Sequence, residues 1–449
     1  MNAFYDCQDL REVVLNDGLK QIRDNAFYNC HSLESITLPS TLTEIESHAF
    51  SNCTQLKKVV FSEGLQLVYF GVEIFSNCTS LESITLSDVD EVGSNAFQYC
   101  TSLREVVLRE GIKKIKMNAF DGCTSLEHIT LPSTLTEICE YVFMDCTSLR
   151  EVVLNEGLNV IAAGAFRSCT SLQNITLPST LIEISSDIFA CCSGLRQSSI
   201  LYNVNQGPQI IKEKAFERCT ALESVTLPTT VTKVSNNAFR HCSALGNVVL
   251  NEGLRTIGEC VFANCMVLQT VIIPSTVSYV GWGAFYKCFS LRRVEFAGEL
   301  PHFEELVFAD CTSLESFTFS NITARLRKII EIGYAEIESK VLDIPNQDRK
   351  WVSSGGFVRW EGTELCVSAV PMQLREYNDN YVETRKIIAK IVRMITYYEI
   401  KEGLTLFELA LWKAKLDQLD TALNYMNRDE CRIEVPGPVK ESIFQYLWS

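Results

Sequence analysis

The side chains most able to do chemistry in this sequence are its 19 cysteines. Thiolates can bind soft metals, form disulfides or act as nucleophiles. Most of these cysteines recur at intervals of about 23 residues, without any Cys-x-x-Cys pair. Side chains at one position of successive units point the same way, which suits disulfide geometry poorly. We therefore interpret the series as reduced core side chains. Its members are Cys7, Cys30, Cys53, Cys78, Cys100, Cys123, Cys146, Cys169, Cys192, Cys219, Cys242, Cys265, Cys288 and Cys311.

The other reactive residues form no catalytic pattern. The 5 histidines are scattered, and none lies in a His-Glu-x-x-His motif. The sequence also lacks a P-loop, a Gly-x-Gly-x-x-Gly loop and a Gly-x-Ser-x-Gly elbow. We therefore predict that the protein is not an enzyme and requires neither a cofactor nor a metal.

The cysteine interval marks a repeat, which is legible in residues 118–138 as Asn-Ala-Phe-Asp-Gly-Cys-Thr-Ser-Leu-Glu-His-Ile-Thr-Leu-Pro-Ser-Thr-Leu-Thr-Glu-Ile. Alternate side chains of an extended segment face opposite sides, so Ile129 and Leu131 should point inward while Thr130 points outward. One unit cannot bury its apolar residues alone, whereas stacked units form a continuous core. The pattern predicts a solenoid of parallel strands with about 14 coils over residues 1–320.

Further apolar residues complete each coil. Leu135 and Ile138 should enter from its far side, and Ala119 with Phe120 should close it in a short helical turn, making the unit an α/β repeat. This unit closely resembles the BspA-type leucine-rich repeat, whose hallmark is AFxxCxxLxxIxIPxxvxxI, over about residues 3–320. The resemblance implies a right-handed, gently curved solenoid used for protein recognition. Some members of that family are surface adhesins.

At the position after the first repeat leucine, basic residues alternate from coil to coil with acidic or amide residues. Stacking should place opposite charges side by side, and a slip by one coil would bring like charges together. We interpret this row as structural; it is broken only at Gly246. Its members are Arg11, Glu34, Lys57, Glu82, Arg104, Glu127, Arg150, Gln173, Arg196, Glu223, Gly246, Gln269, Arg292 and Glu315.

The turn after each main strand alternates between Leu-Pro-Ser-Thr-Leu and an acidic residue followed by glycine. Glycine permits a positive φ, and proline restricts the alternate turn. Acidic side chains in every second coil would form an edge with spacings of roughly 9 to 10 Å. This acidic edge is either a solvated turn or a docking site for a basic protein. It comprises Asp17, Glu63, Glu110, Glu156 and Glu252.

The outward positions of the main strands offer a second candidate surface. β-branched residues suit any pleated strand, but a flat exposed row of them also suits protein recognition. Both interpretations stay open for this column. Its central candidates are Thr130, Val153 and Thr176.

Charge narrows the range of partners. The formal net charge is −15, of which residues 1–320 carry −14, so nucleic acid is disfavoured and a basic protein surface is favoured. No apolar run approaches the length needed to span a bilayer. The sequence after Met1 lacks a secretory signal pattern, so we expect a cytoplasmic protein; an extracellular one is the alternative if Met1 is not the true start.

Residues 321–449 are predicted to form a mainly helical C-terminal domain, with short strands near 357–360. This domain should either cap the last coil or act as an independent interaction module. Residues 202–208 should form an inserted loop. The chain as a whole is predicted to be a non-catalytic scaffold that uses the acidic edge and the outward strand face. The alternative is a surface or secreted adhesion protein whose signal peptide is missing from this sequence.

Overall fold

The chain folds as a parallel-strand β-solenoid of about 12 turns, which confirms the predicted solenoid of parallel strands. The sequence predicts about 14 coils, and residues 197–206, which belong to one of them, lie outside the described ranges. The computed structural model describes residues 2–86, 89–196, 207–298, 301–304, 306–314, 316–319, 358–361 and 364–368.

Outside residues 197–206, which are not described, each coil contributes one strand to the main sheet directly after the cysteine turn. Ile129 and Leu131 are buried and Thr130 is exposed, as predicted. Ile129 lies in register between Val106 and Val152 of the adjacent coils. The strands are β1 (Glu12–Val13), β3 (Ser35–Leu38), β5 (Lys58–Phe61), β7 (Ser83–Leu86), β9 (Glu105–Leu108), β11 (His128–Thr130), β13 (Glu151–Val153), β15 (Asn174–Ile175), β18 (Ser224–Thr226), β20 (Asn247–Val249), β22 (Thr270–Ile273), β24 (Arg293–Phe296) and β26 (Ser316–Phe319).

A second sheet of two-residue strands closes the far side of the coils. Leu135 and Ile138 are fully buried there, as predicted. Pairing of Ile184 with Ile211 carries this sheet across the insertion. Its strands are β2 (Gln21–Ile22), β4 (Glu44–Ile45), β6 (Tyr69–Phe70), β8 (Glu91–Val92), β10 (Lys114–Ile115), β12 (Glu137–Ile138), β14 (Val160–Ile161), β16 (Glu183–Ile184), β17 (Ile210–Ile211), β19 (Lys233–Val234), β21 (Thr256–Ile257), β23 (Tyr279–Val280) and β25 (His302–Phe303).

The predicted helical turn at Ala119 and Phe120 is wrong, and with it the α/β character of the repeat. Across the described ranges this segment is a series of tight turns and no helix occurs. A helix would use each successive amide within its own chain segment. Here the Phe120 amide donates to the carbonyl of Val142 in the next coil at 2.9 Å, whereas the Asp121 amide donates back to Asn118 at 3.1 Å. Alternate backbone amides of this segment therefore donate their hydrogen bonds to the next coil instead of to their own segment.

Phenylalanine rings form a continuous stack along the centre of the solenoid. Neighbouring rings have centroids 5.0 to 5.7 Å apart and nearly parallel planes. Offset stacking of this kind adds to the free energy gained by burying the rings. The stack comprises Phe4, Phe27, Phe50, Phe75, Phe97, Phe120, Phe143, Phe166, Phe189, Phe216, Phe239, Phe262, Phe285 and Phe308.

Two antiparallel strands follow the last coil. The strand segment predicted near 357–360 is confirmed as β27 (Val358–Glu361), and β28 (Glu364–Ser368) pairs with both β27 and β26. The remainder of the predicted helical domain, its boundary at 320/321 and most of the predicted insertion loop lie outside the described residues.

Candidate protein-recognition surface

All five residues of the predicted acidic edge have exposed side chains. They lie in the turns that lead from the main sheet to the second sheet. Backbone stacking brings each of these turns against the equivalent turn of the next coil. Because the two kinds of turn alternate, an acidic turn faces a Pro-Ser-Thr turn in the pairs built on Glu110, Glu156 and Glu252.

The Glu110 carboxylate accepts three hydrogen bonds from the next coil. The Ser133 amide and hydroxyl donate at 3.1 and 3.0 Å, and the Thr134 amide donates at 3.2 Å. Two further pairs repeat the serine contacts. Ser179 donates to Glu156 at 2.9 Å from both its amide and its hydroxyl, and Ser275 donates to Glu252 at 3.1 and 2.8 Å.

Thr134 of the same turn forms two further hydrogen bonds to the coil of Glu110. The Gly111 amide donates to Thr134 Oγ1 at 2.9 Å, and this hydroxyl donates to the Ile112 carbonyl at 2.9 Å. We call the combined set of contacts the coil clamp, defined by Glu110, Gly111, Ser133 and Thr134 and their equivalents. The threonine bonds recur at Thr41 and Thr276, and Thr180 and Thr230 repeat the bond to the carbonyl.

The coil clamp gives Glu110, Glu156 and Glu252 a structural role that the sequence interpretation missed. The signal was present, since Ser-Thr follows the acidic-glycine turn one coil later. Among the described residues the Asp17 carboxylate accepts no such bond, although Gly18 shares the threonine contact. For Glu63, the sequence position equivalent to Ser133 is residue 88, which lies outside the described ranges. Use of this edge in binding stays a prediction.

We expect the clamps to make stability depend on pH. Hydrogen bonds from the backbone and hydroxyl of Ser133 lower the pKa of Glu110 below 4.5. Burial raises the pKa of Glu252, but hydrogen bonds from Ser275 outweigh it and the net change is a lowering. A carboxyl group with a lowered folded-state pKa contributes stability above its unfolded pKa, and loses it as the pH falls through the folded value. The clamps should therefore weaken below about pH 4.5.

Thermal unfolding followed by circular dichroism between pH 7 and pH 3 measures this effect. The control combines Glu110→Gln and Glu252→Gln, which keeps an acceptor oxygen at each position but removes the titrating group. Its unfolding temperature should fall less on acidification than that of the unaltered protein. Parallel curves for the two proteins would show that the clamps contribute no pH-dependent stability.

The outward residues of the main strands form one column, as the alternation of inward and outward side chains predicted. Thr130 lies opposite Val107 on one side and Val153 on the other, in a continuous parallel register. Val153 is 60% exposed and Val107 is 38% exposed, so the column presents apolar side chains to solvent. Thr176, directly after β15, is exposed as well. The structure therefore forms a flat face of β-branched side chains.

The charge row occupies the register expected of it, but its side chains do not bridge. Backbone bonds join Arg150 to Glu127 at 3.0 Å and Gln173 to Arg150 at 3.2 Å. Within the described residues, no member of the row between Arg11 and Gln269 forms an ion pair. The charged groups of these row members are therefore available to solvent or to a ligand.

The thiol series is buried from Cys30 to Cys311, as predicted, whereas Cys7 is half-buried. Each thiol from Cys30 to Cys311 has one more role. It donates a hydrogen bond to the carbonyl of the core phenylalanine in the preceding coil, at 3.0 to 3.4 Å. Burial raises the pKa of Cys100 to about 12, and raises that of Cys123 as well. Because the thiolate is the reactive form, these thiols are poorly suited to nucleophilic or metal chemistry.

Two negative findings apply to the described part of the chain. It holds no group of three or more His, Cys, Asp or Glu side chains placed to bind a metal ion. It also contains no helix with the length and apolar character needed to cross a membrane.

Comparison with solved structures finds the same kind of fold. A leucine-rich repeat protein from Bacteroides ovatus is 25% identical with a TM-score of 0.52, covering 62% of this chain and 79% of that chain. A leucine rich cell surface protein from Faecalibacterium prausnitzii is 22% identical with a TM-score of 0.37, covering 69% and 81%. The leucine rich repeat protein of T. pallidum is 31% identical with a TM-score of 0.31, covering 41% and 77%.

No curated protein matches this chain. The sequence profile of the BspA type leucine rich repeat region matches it in six copies, over residues 1–104, 90–207 and 209–330. These matches span most of the sequence and coincide with the repeat that forms the solenoid. The chain therefore belongs to the BspA-type leucine-rich-repeat family.

Proposed function

We propose that this protein is a non-catalytic scaffold whose protein partner docks on the outward face of the main sheet. The observation that carries this proposal is Val153, which is 60% exposed at the centre of a regular strand face. Val107, Val249 and Ile272 are also exposed in the same column. A row of exposed apolar residues on a rigid sheet supplies the kind of contact that protein interfaces desolvate.

The acidic edge is proposed to select a basic partner. Residues 1–320 carry a net charge of −14, and a field of this sign accelerates association with a positive surface. Glu110 and Glu252 remain ionised at neutral pH since their pKa values are lowered. Their carboxylates are exposed even though they serve the coil clamp, so their charge can still act on a partner.

The thiol series supports a cytoplasmic location for the scaffold. Each thiol from Cys30 to Cys311 uses its hydrogen to bond a backbone carbonyl, which requires the reduced form. Reduced thiols in this number persist most readily in a reducing compartment.

The strand-face proposal is tested by capture of partners on the full chain, with quantification by mass spectrometry. Val153→Arg places a bulky cation in the proposed interface and should reduce partner recovery about tenfold, equivalent to about 1.4 kcal/mol of binding free energy. Val160→Arg is the matched control, because Val160 is 46% exposed but lies in β14 on the second sheet of the same coil. Equal recovery with both variants would contradict docking on the main sheet.

The charge selection needs its own measurement. Recovery of the partner should fall as salt is raised, and this dependence should weaken when Glu110, Glu156 and Glu252 are all replaced by glutamine. An unchanged salt dependence would remove the acidic edge from the interface while leaving the strand face untouched.

A further inference from the structure

A groove crosses the coils where the charge row lacks an acidic member. Gln173 stands in the coil between Arg150 and Arg196, and backbone bonds of 3.2 Å fix this order. The groove has a volume of about 350 Å³. Its lining contains no carboxylate and consists of Arg150, Thr170, Ser171, Gln173, Ser193, Gly194, Arg196 and Ala221.

Several hydrogen-bond donors in the groove are free to bind a ligand. The guanidinium groups of Arg150 and Arg196 form no ion pair within the described part of the chain, and the side chains of Gln173, Ser171 and Ser193 form no hydrogen bond there. Arginine presents a planar set of donors that matches a carboxylate in two parallel bonds. The groove is therefore a set of unpaired donors on a protein of negative net charge.

Gly194 contributes to the shape of the groove. A Cβ atom on Gly194 would lie 2.5 Å from the carbonyl oxygen of Thr170, so the two coils approach more closely here than a side chain would allow. Ser171 holds the equivalent position one coil earlier, and Ala221 holds it one coil later. The loss of side-chain volume at Gly194 and Ala221 leaves space between the two arginines.

We propose that this groove binds a short acidic segment of a partner protein through two carboxylates. Its positive stretch is bounded, because Glu127 precedes Arg150 and Glu223 follows Arg196 in the same row. A nucleic acid would extend its phosphates over these acidic neighbours, whereas a short peptide would not. The inference rests on the proposed role in protein recognition, but it uses a different surface from the outward strand face.

The spacing of the arginines fits such a peptide. Two strand spacings separate the coils of Arg150 and Arg196 by roughly 10 Å. Acidic residues at alternate positions of an extended peptide point to one side, about 7 Å apart. The two long arginine side chains can close this difference by leaning toward Gln173. Ser171 and Ser193 would then donate to the peptide backbone.

The test of this proposal places an acidic side chain at position 173, where the row has glutamine. Fluorescence anisotropy of a short labelled peptide with two glutamates at alternate positions is measured on the full chain, with a glutamine-substituted peptide as reference. Gln173→Glu keeps both arginines and recreates the alternation found in other coils, and it should weaken binding of the acidic peptide at least tenfold. The double variant Arg150→Gln, Arg196→Gln should have the same effect.

The matched control is Arg104→Gln, since Arg104 belongs to the same row but lies between Glu82 and Glu127. It should leave peptide affinity unchanged. The proposal is overturned if Gln173→Glu binds as well as the unaltered protein, if Arg104→Gln loses as much affinity, or if a single-stranded oligonucleotide displaces the peptide at lower concentration. Because Val153→Arg leaves the groove intact, peptide binding by that variant separates this proposal from docking on the strand face.

Discussion

Replacement of Phe166 by alanine is expected to destabilise the solenoid by about 3–5 kcal/mol, the usual cost of replacing a buried aromatic side chain with alanine. The Phe166 ring is 0% exposed, and its centroid lies 5.3 Å from that of Phe143 and 5.7 Å from that of Phe189. The substitution removes both stacking contacts together with the apolar surface that the ring buries. Urea unfolding followed by circular dichroism measures the change in free energy.

The position in the stack provides the control. Phe4 is 40% exposed and stacks on Phe27 alone, so Phe4→Ala should cost less than half as much. Stability in repeat proteins is approximately a sum of nearest-neighbour interactions, so an interruption at Phe166 should also divide unfolding into two transitions. Equal costs at Phe4 and Phe166, with one transition in both, would contradict a stabilising role for the stack.

Deletion of one coil is expected to harm the protein more than deletion of two. Removal of residues 127–149 joins Leu126 to Arg150 and places the Glu110 turn against the Glu156 turn. Neither turn can donate the serine and threonine bonds of the coil clamp, and two carboxylates face each other. Arg104 also becomes the neighbour of Arg150, so like charges meet in the charge row as well.

Removal of residues 127–172 is the comparison, since it deletes two coils and keeps the alternation. Glu110 then faces Ser179 and Thr180, which can rebuild the clamp, and Arg104 faces Gln173. Longer repeat arrays are normally more stable, so length alone predicts the opposite order of stability. We expect a lower urea midpoint for the one-coil deletion. A midpoint at or above that of the two-coil deletion would refute the clamp as the joint between coils.

The solenoid was predictable because its residues repeat a local rule many times. Alternation in Leu-x-x-Ile-x-Leu determines which side chains point inward, and Ile129, Leu131, Leu135 and Ile138 are buried as it requires. The turn segment was not predictable in the same way. Ala119 and Phe120 suit a short helix, but stacking offers their amides acceptors in the next coil, and such partners depend on the assembled fold.

The candidate sites also differ in whether local sequence or contact between coils determines them. Exposure of Val153 follows from strand alternation, so sequence alone could predict it. The coil clamp at Glu110 depends on the sequence of the turn in the next coil. The Ser-Thr pair in alternate coils is the sequence signal for it. The groove depends on a missing charge at Gln173 and on a close approach at Gly194, and the second of these emerges only in three dimensions.

The reversed strand β28 has a consequence for growth of the sheet. Every coil presents an edge that an identical coil could extend, which is the geometry of an open filament. β28 runs antiparallel to β26, pairing Phe317 with Val367, and β27 pairs antiparallel with β28 on its other side. A further coil would therefore meet the edge of this hairpin instead of the edge of β26. One short hairpin thus covers the last main strand of the solenoid, whose edge would otherwise be open to pairing with another chain.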